Sequence, residues 1–383
     1  MDSKRRYKSY LAFDFILFAS ALALSIFGIV LIGSATKINI SGTSAEYSSQ
    51  ILWLCLGLII LFLSAFIDYV FILKFYVLIY LVNILLLLLI FVMGTADENG
   101  VARWLYFGSF GMQPSEFTKL FLILFFARYL EKNKEKINTP FFILSYIGLL
   151  FIPILLIAVQ PSLSACLIPL IIGAVLIFEA GLHRKIVFVA IIIGVVTIAT
   201  IFLDSLRSEP IVADLVLTEY QIGRIRSNVL QEEAGDAFLQ TGYAIQAIGS
   251  GQLEGKGLYN GTVNQLNYIA ESHNDFIFSV LGEEFGFIGT VGVILIFFVI
   301  IIRILFIAHR TNTMSGKLIC AGVATMFFAQ VFINAGVNTG LLPNTGMTLP
   351  FLSYGGSSLM INLCSIGLVI NVGMEKEKSI FEG

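Results

Sequence analysis

Ten stretches of about twenty mostly apolar residues follow one another along this chain, and no other feature restricts its folding as severely. They lie near 11–33, 51–68, 72–93, 116–130, 141–159, 163–181, 186–203, 276–307, 317–337 and 352–373. A helix needs about 20 residues to cross the hydrocarbon core of a bilayer. Inside that core no water is available to the backbone, so only helices and closed barrels span it. With 57% hydrophobic residues, 13% charged residues and a mean hydropathy of +0.91, a soluble protein is excluded. The prediction is an all-α integral membrane protein, a single polytopic domain over residues 1–383. The basic Lys4-Arg5-Arg6-Tyr7-Lys8 precedes a first apolar run too long for a signal-peptide core, so that run is expected to stay as an uncleaved span.

The distribution of positive charge sets the topology. With the N-terminus in the cytoplasm, seven of the 23 Lys and Arg fall outside (Lys37, Arg103, Lys119, Arg207, Arg224, Arg226 and Lys256) and the other sixteen inside. Ten spans then place both termini in the cytoplasm, with a large extracytoplasmic loop, 204–275, between helices 7 and 8. The formal net charge of −2 says nothing about partners, and no nucleic-acid partner is expected. Cys55, Cys166, Cys320 and Cys364 sit inside apolar runs without CxxC spacing and read as small core residues.

Three outer segments are unusual. Residues 94–116 are polar and carry Arg103-Trp104. The 204–274 segment is too long for a structureless loop, and its residues 237–248 place Phe238, Tyr243, Ala244, Ile245 and Ile248 on one side of a helix expected to lie on the membrane surface. Residues 338–358 are rich in Gly and Pro and uncharged, which suits backbone buried by protein or lining a wet cavity.

The densest chemistry is Glu271-Ser272-His273-Asn274-Asp275-Phe276-Ile277-Phe278, where the long loop enters the eighth run. Ser272 or Asn274 is expected to cap that helix, with Asp275 in its first turn, where the dipole favours a carboxylate. Simple capping is one reading of Asp275. Glu271, His273 and the deeper Glu283 and Glu284 exceed what capping needs and suit a general base, a cation site, or both. Lys119 lies inside the fourth run and requires a polar partner; Glu116, three residues earlier, is on the same helix face. Outward-facing Arg and Lys near lipid suit an anionic head group such as a diphosphate. Gly282 and Gly286 form a GxxxG expected to mark close helix packing.

Taken together these segments resemble the SEDS family (shape, elongation, division and sporulation proteins), which includes RodA and FtsW. The resemblance rests on Arg103-Trp104-Leu105, Gln113-Pro114-Ser115-Glu116-Phe117-Thr118-Lys119-Leu120, Gln246-Ala247-Ile248-Gly249-Ser250-Gly251 with Gly255-Lys256-Gly257, the Glu271–Phe278 motif with Gly282-Glu283-Glu284, and Gly340-Leu341-Leu342-Pro343 leading into Pro350-Phe351-Leu352-Ser353-Tyr354-Gly355-Gly356-Ser357-Ser358. It implies a polymerase of peptidoglycan glycan strands that uses lipid II and works with a class B penicillin-binding protein, a transpeptidase. By resemblance Asp275 is the essential extracytoplasmic aspartate, and Arg103, Trp104 and Lys119 match other positions tied to activity. Where the family carries Pro-Asp-x-Gly-Thr, this chain has Pro161-Ser162-Leu163-Ser164-Ala165, with no acid.

The expected chemistry is transfer of a glycosyl unit from a polyprenyl-diphosphate donor to the 4-hydroxyl of an acceptor sugar, with inversion. Asp275 would act as base, with Arg103, Lys119 and Lys256 beside the diphosphate and Glu116, Trp104, Glu271 and His273 shaping the site. A divalent cation (Mg or Mn) near Asp275 is a candidate, though no metal-ligand set is legible. Two other readings stand beside this one: a flippase of lipid-linked precursors, and a non-catalytic scaffold for the transpeptidase.

Overall fold

A computed structural model describes residues 6–8, 12–37, 44–96, 102–107, 110–160, 163–207, 210–216, 222–223, 236–266, 268–269 and 272–377. The helices are α1 (Phe15–Ala35), α2 (Ala45–Phe66), a short α3 (Tyr69–Lys74), α4 (Tyr76–Met93), α5 (Pro114–Lys132), α6 (Pro140–Ala158), α7 (Leu163–Glu179), α8 (Arg184–Ser205), α9 (Ala213–Val216), α10 (Asp236–Ser250), α11 (Thr262–Gln265), α12 (Ile277–Arg310), α13 (Met314–Asn338) and α14 (Gly356–Gly373). Among the described residues seven of these, α1, α2, α4, α6, α12, α13 and α14, are long and apolar enough to cross a membrane. This is a multi-pass membrane protein. The other three expected runs coincide with α5, α7 and α8. Strand β1 (Arg6–Lys8) pairs antiparallel with β5 (Glu375–Glu377), setting Arg6 opposite Glu377 and Lys8 opposite Glu375. A small meander of β2 (Thr95–Ala96), β3 (Ala102–Phe107) and β4 (Phe110–Met112) follows α4.

Element boundaries depart from the apolar runs where backbone chemistry intervenes. Helix α2 begins six residues before its run because the Ser44 hydroxyl accepts from Tyr47 N at 3.0 Å. Helix α14 begins at Gly356, not at 352, because Phe351 and Gly355 hold positive φ of 64° and 156°, incompatible with a helix.

Helix α14 is the central post and packs most closely on α2. A Cβ on Gly367 would come within 2.0 Å of Ser64 Oγ, and one on Gly57 within 2.5 Å of Leu363 Cδ1. Small residues at such contacts let backbones approach where lipid offers no competing hydrophobic drive. At the far end of α14, the Asn371 side chain donates to Ser64 O at 2.8 Å and accepts from Tyr69 N at 3.2 Å, so it ties the post to the α2–α3 junction. Asp14 caps α1 through Leu17 N at 3.0 Å and also accepts from Arg303 Nη2 at 2.6 Å, locking α1 to α12. The exposed Leu78, Leu81, Leu85 and Leu88 of α4 form the kind of face that lipid covers.

Helix α12 is broken. The GxxxG at Gly282 and Gly286 is expected as a packing stripe, but Gly286 has φ 62° and ψ −160°, a conformation essentially restricted to glycine. The break frees backbone groups of α12, and the loop after α10 takes them. Lys256 N donates to Glu283 O at 3.0 Å and Gly257 N to Glu284 O at 2.9 Å. Phe287 N donates to Gln252 O at 2.8 Å and Ile288 N to Leu253 O at 3.1 Å. Irregular backbone at membrane depth persists only with such internal partners. Gly282 does serve packing: a Cβ there would lie 2.9 Å from Ile248 Cγ1. Helix α10, expected on the membrane surface, therefore buries Ala244 and Ala247 and sets Ile248 against α12, covering protein with its inner face.

Candidate active site

The turn that carries Asp275 is fixed carbonyl by carbonyl. His273 O accepts from Tyr354 N at 2.9 Å, Asn274 O from Ser353 Oγ at 2.7 Å, and Asp275 O from Asn334 Nδ2 at 2.9 Å and Asn338 Nδ2 at 3.0 Å. All four donors come from α13 or from the uncharged segment before α14. The expected local capping does not occur. Phe276 is the N-cap of α12 and makes no side-chain cap bond, so Asp275 precedes the helix instead of sitting in its first turn. A carboxylate placed there is not an ordinary first-turn acid.

Gly346 joins Asp275 to the rest of the site. It adopts φ +69°, and a Cβ there would lie 3.2 Å from Asp275 Oδ2. Gly346, Met347 and Thr348 also line a narrow polar cleft with Gln113, Ser115, Glu116, Lys119, Ala165 and Ile168. Asp275 thus stands at the rim of a cleft whose cation is Lys119. The segment is held in register by Asn334 Nδ2, which donates to Met347 O at 2.6 Å, and by Ser353 Oγ, which accepts from Leu349 N at 2.7 Å.

Lys119 has the partner its position demands: its Nζ is 2.7 Å from Glu116 Oε2, with side chains only 5% and 15% exposed. Pro114 at the start of α5 sets the first turn that aims both residues into the cleft. Gln113 N donates to Ser357 Oγ at 3.1 Å, binding the mouth of α5 to the start of α14. Arg103 lies on β3 and donates through Nε to Gln160 O at 3.3 Å, at the end of α6. Trp104 is half-buried on the same strand, its ring 6.4 Å from that of Tyr106. The His273 ring is 5.7 Å from that of Tyr354, whose hydroxyl is pushed above its ordinary pKa by burial.

Lys256, Glu283 and Glu284 are placed differently. Lys256 Nζ donates to Glu283 Oε1 at 2.7 Å and to Thr262 Oγ1 at 2.7 Å. Glu283 is fully buried and also accepts from Val263 N at 3.0 Å and Asn264 N at 3.3 Å. Glu284 accepts from the Ser34 hydroxyl of α1. These groups hold the broken helix to α1 and to the segment between α10 and α11, and none of them lines the cleft. The expected convergence of acids around Asp275 is thereby divided into two sets.

Glu271, Pro161, Ser162, Arg224 and Arg226 lie outside the described residues. Among the described residues no three His, Cys, Asp or Glu side chains converge to hold a metal ion. Charge does not mark Asn334 and Asn338, which are uncharged residues of α13. A polar residue near the end of an apolar span is itself a functional signal, and the four-residue spacing would have found both.

A helical membrane bundle with a cation and a carboxylate beside one polar cleft defines a polytopic enzyme-like site, and its relatives give its family. Residues 14–378 match the cell cycle protein family of FtsW, RodA and SpoVE. This chain belongs to that family. A probable peptidoglycan glycosyltransferase FtsW of Geobacter sp. (strain M18) is 35% identical over 378 residues, spanning 96% of this chain and 98% of the relative. The peptidoglycan glycosyltransferase MrdB of Escherichia coli (strain K12) is 34% identical over 300 residues, 76% of each chain. Among solved structures, a chain of a peptidoglycan synthase complex that coordinates polymerization and crosslinking superposes with a TM-score of 0.79 at 28% identity, covering 95% of this chain and 98% of that one. The rod shape determining protein RodA of Thermus thermophilus gives 0.69 at 28% identity, covering 95% and 97%.

Proposed function

We propose that this protein is a peptidoglycan glycosyltransferase that lengthens glycan strands from lipid II at the extracytoplasmic face of the bacterial cytoplasmic membrane. The enzyme class rests on the family and on relatives named for that activity. Neither a flippase nor a non-catalytic scaffold is favoured by those relatives. The topology proposed is ten spans with both termini in the cytoplasm. It is supported by the helices that coincide with the ten apolar runs among the described residues, seven of them of membrane-crossing length and hydropathy, and by the β1–β5 pairing, which brings residues 6–8 beside 375–377.

The observation that carries the mechanism is Asp275 on an immobilised turn, its Oδ2 at the rim of the Glu116–Lys119 cleft. Asp275 takes the proton from the acceptor 4-hydroxyl as that oxygen attacks the anomeric carbon of the donor. The bond from that carbon to the diphosphate oxygen breaks, and inversion follows from attack opposite the leaving group. Charge then grows on the departing polyprenyl diphosphate. Lys119, with Arg103 on the neighbouring strand, offsets it in surroundings where a fixed cation is worth more than in water. Trp104, Glu116 and His273 shape the site, as does Glu271 by resemblance. Lys256, engaged by Glu283, is assigned to structure and not to the diphosphate.

A class B penicillin-binding protein is the partner this reading implies, supported by the likeness to a chain from a complex that couples polymerization to crosslinking. The deciding experiment is polymerisation of lipid II by purified protein, with and without its transpeptidase. Asp275→Asn should abolish product while the protein remains monodisperse; undiminished activity in that variant would sink the assignment.

A further inference from the structure

We infer that Asn338 is a positioning residue for Asp275: from α13 it supplies the cap that the start of α12 lacks and so fixes the backbone from which the carboxylate projects. The inference rests on the assignment of Asp275 as the base.

One carboxamide reaches both ends of the turn. Its Nδ2 donates to Asp275 O at 3.0 Å, and its Oδ1 accepts from Ser279 N at 3.1 Å, an N–H shared with Phe276 O at 2.9 Å. The acceptor carbonyl and the donor amide lie four residues apart across the first turn of α12. A single planar group satisfies both only when that stretch has the geometry of a helix start. Nδ2 also donates to Asn334 O at 2.9 Å, one turn back on its own helix, which fixes the side chain's direction. Asn338 is wholly buried, so water does not substitute for it.

No other side-chain type of this size does the same work. An amide offers a donor and an acceptor on one rigid group; leucine offers neither. Asn334 completes the arrangement by joining Asp275 O to Met347 O, at 2.9 and 2.6 Å. It thereby couples the turn to the segment that carries Gly346. With Asn274 O held by Ser353 Oγ at 2.7 Å, the backbone is pinned on both sides of Asp275. Misplacing a catalytic group by about 1 Å can lower a rate about a hundredfold, so a fixed backbone here acts on turnover and not on substrate capture.

The test uses the full-length chain in nanodiscs and two measurements. In Asn338→Leu, amide hydrogen exchange in the 272–280 peptide should rise about threefold or more, with exchange in α14 unchanged. With lipid II, kcat should fall about tenfold to a hundredfold while KM stays within about twofold. Should the leucine variant not be monodisperse, Asn338→Ala makes the same deletion without added bulk. Unchanged exchange overturns the cap. Faster exchange with wild-type kcat, or a loss confined to KM, overturns the positioning role. If the wild-type chain makes no polymer from lipid II, the substrate assignment fails, and the exchange measurement still decides whether Asn338 holds the turn.

Discussion

Lys119 Nζ lies 2.7 Å from Glu116 Oε2, one turn earlier on the same helix, and both side chains are almost withdrawn from solvent. A pair so placed is neutral as a unit, yet its cation faces a cleft open to a polar ligand. Removing one partner from a buried pair leaves an uncompensated charge, at about 3–5 kcal/mol. Lys119→Met and Glu116→Gln should each lower the melting temperature in detergent. The double variant should recover most of that stability and still fail to polymerise lipid II, because the cation is gone. Recovery of activity in the double variant would show that Lys119 is structural only.

Lys256 is expected to behave in the opposite way. Lys256→Met strands Glu283, which is fully buried, and should destabilise the protein by about the same 3–5 kcal/mol. Adding Glu283→Gln should restore both the melting temperature and polymerisation. If activity stays lost in a stable double variant, Lys256 touches substrate after all.

Gly346→Ala forces a side chain into a backbone of φ +69° and toward Asp275 Oδ2 at 3.2 Å. The backbone strain is worth on the order of 1–3 kcal/mol. Initial rates should fall far more than the stability loss explains, because the added methyl crowds the Asp275 carboxylate. Comparing rate with melting temperature separates the two effects, and a proportional loss would argue against Gly346 facing the reaction.

Gly286→Ala attacks the break in α12. The new Cβ would sit 2.4 Å from Gly255 N, in a conformation that L residues rarely adopt. The splice of loop 252–257 into the helix should come apart, read as loss of monodisperse protein on size exclusion. A well-behaved Gly286→Ala protein would mean that α12 can run unbroken.

Each apolar run coincides with a helix among the described residues, and seven of those helices are long and apolar enough to cross a membrane, because length and hydropathy alone answer to the bilayer's thickness. Lys119 announced its need for Glu116 in the same way, through local spacing on one helix. Asp275, too, was legible as a carboxylate at a helix mouth. Its surroundings were not. The carbonyls of residues 273–275 are held by Asn334, Asn338, Ser353 and Tyr354, some sixty to eighty positions away, and uncharged donors leave no pattern in a hydropathy plot.

Gly282 and Gly286 show the same division. Their spacing said helix packing, and Gly282 obeys it against Ile248. Whether Gly286 continued the helix or broke it depended on a loop thirty residues upstream able to take the freed backbone groups. Sequence alone marked the segments apolar enough to span a bilayer and the ionisable groups at their ends, because both follow from local length and solvation energy. Which carboxylate stands against Gly346 and which is tied to Lys256 was set by the fold. That choice is made by hydrogen bonds between elements far apart in the chain, whose partners no local pattern names.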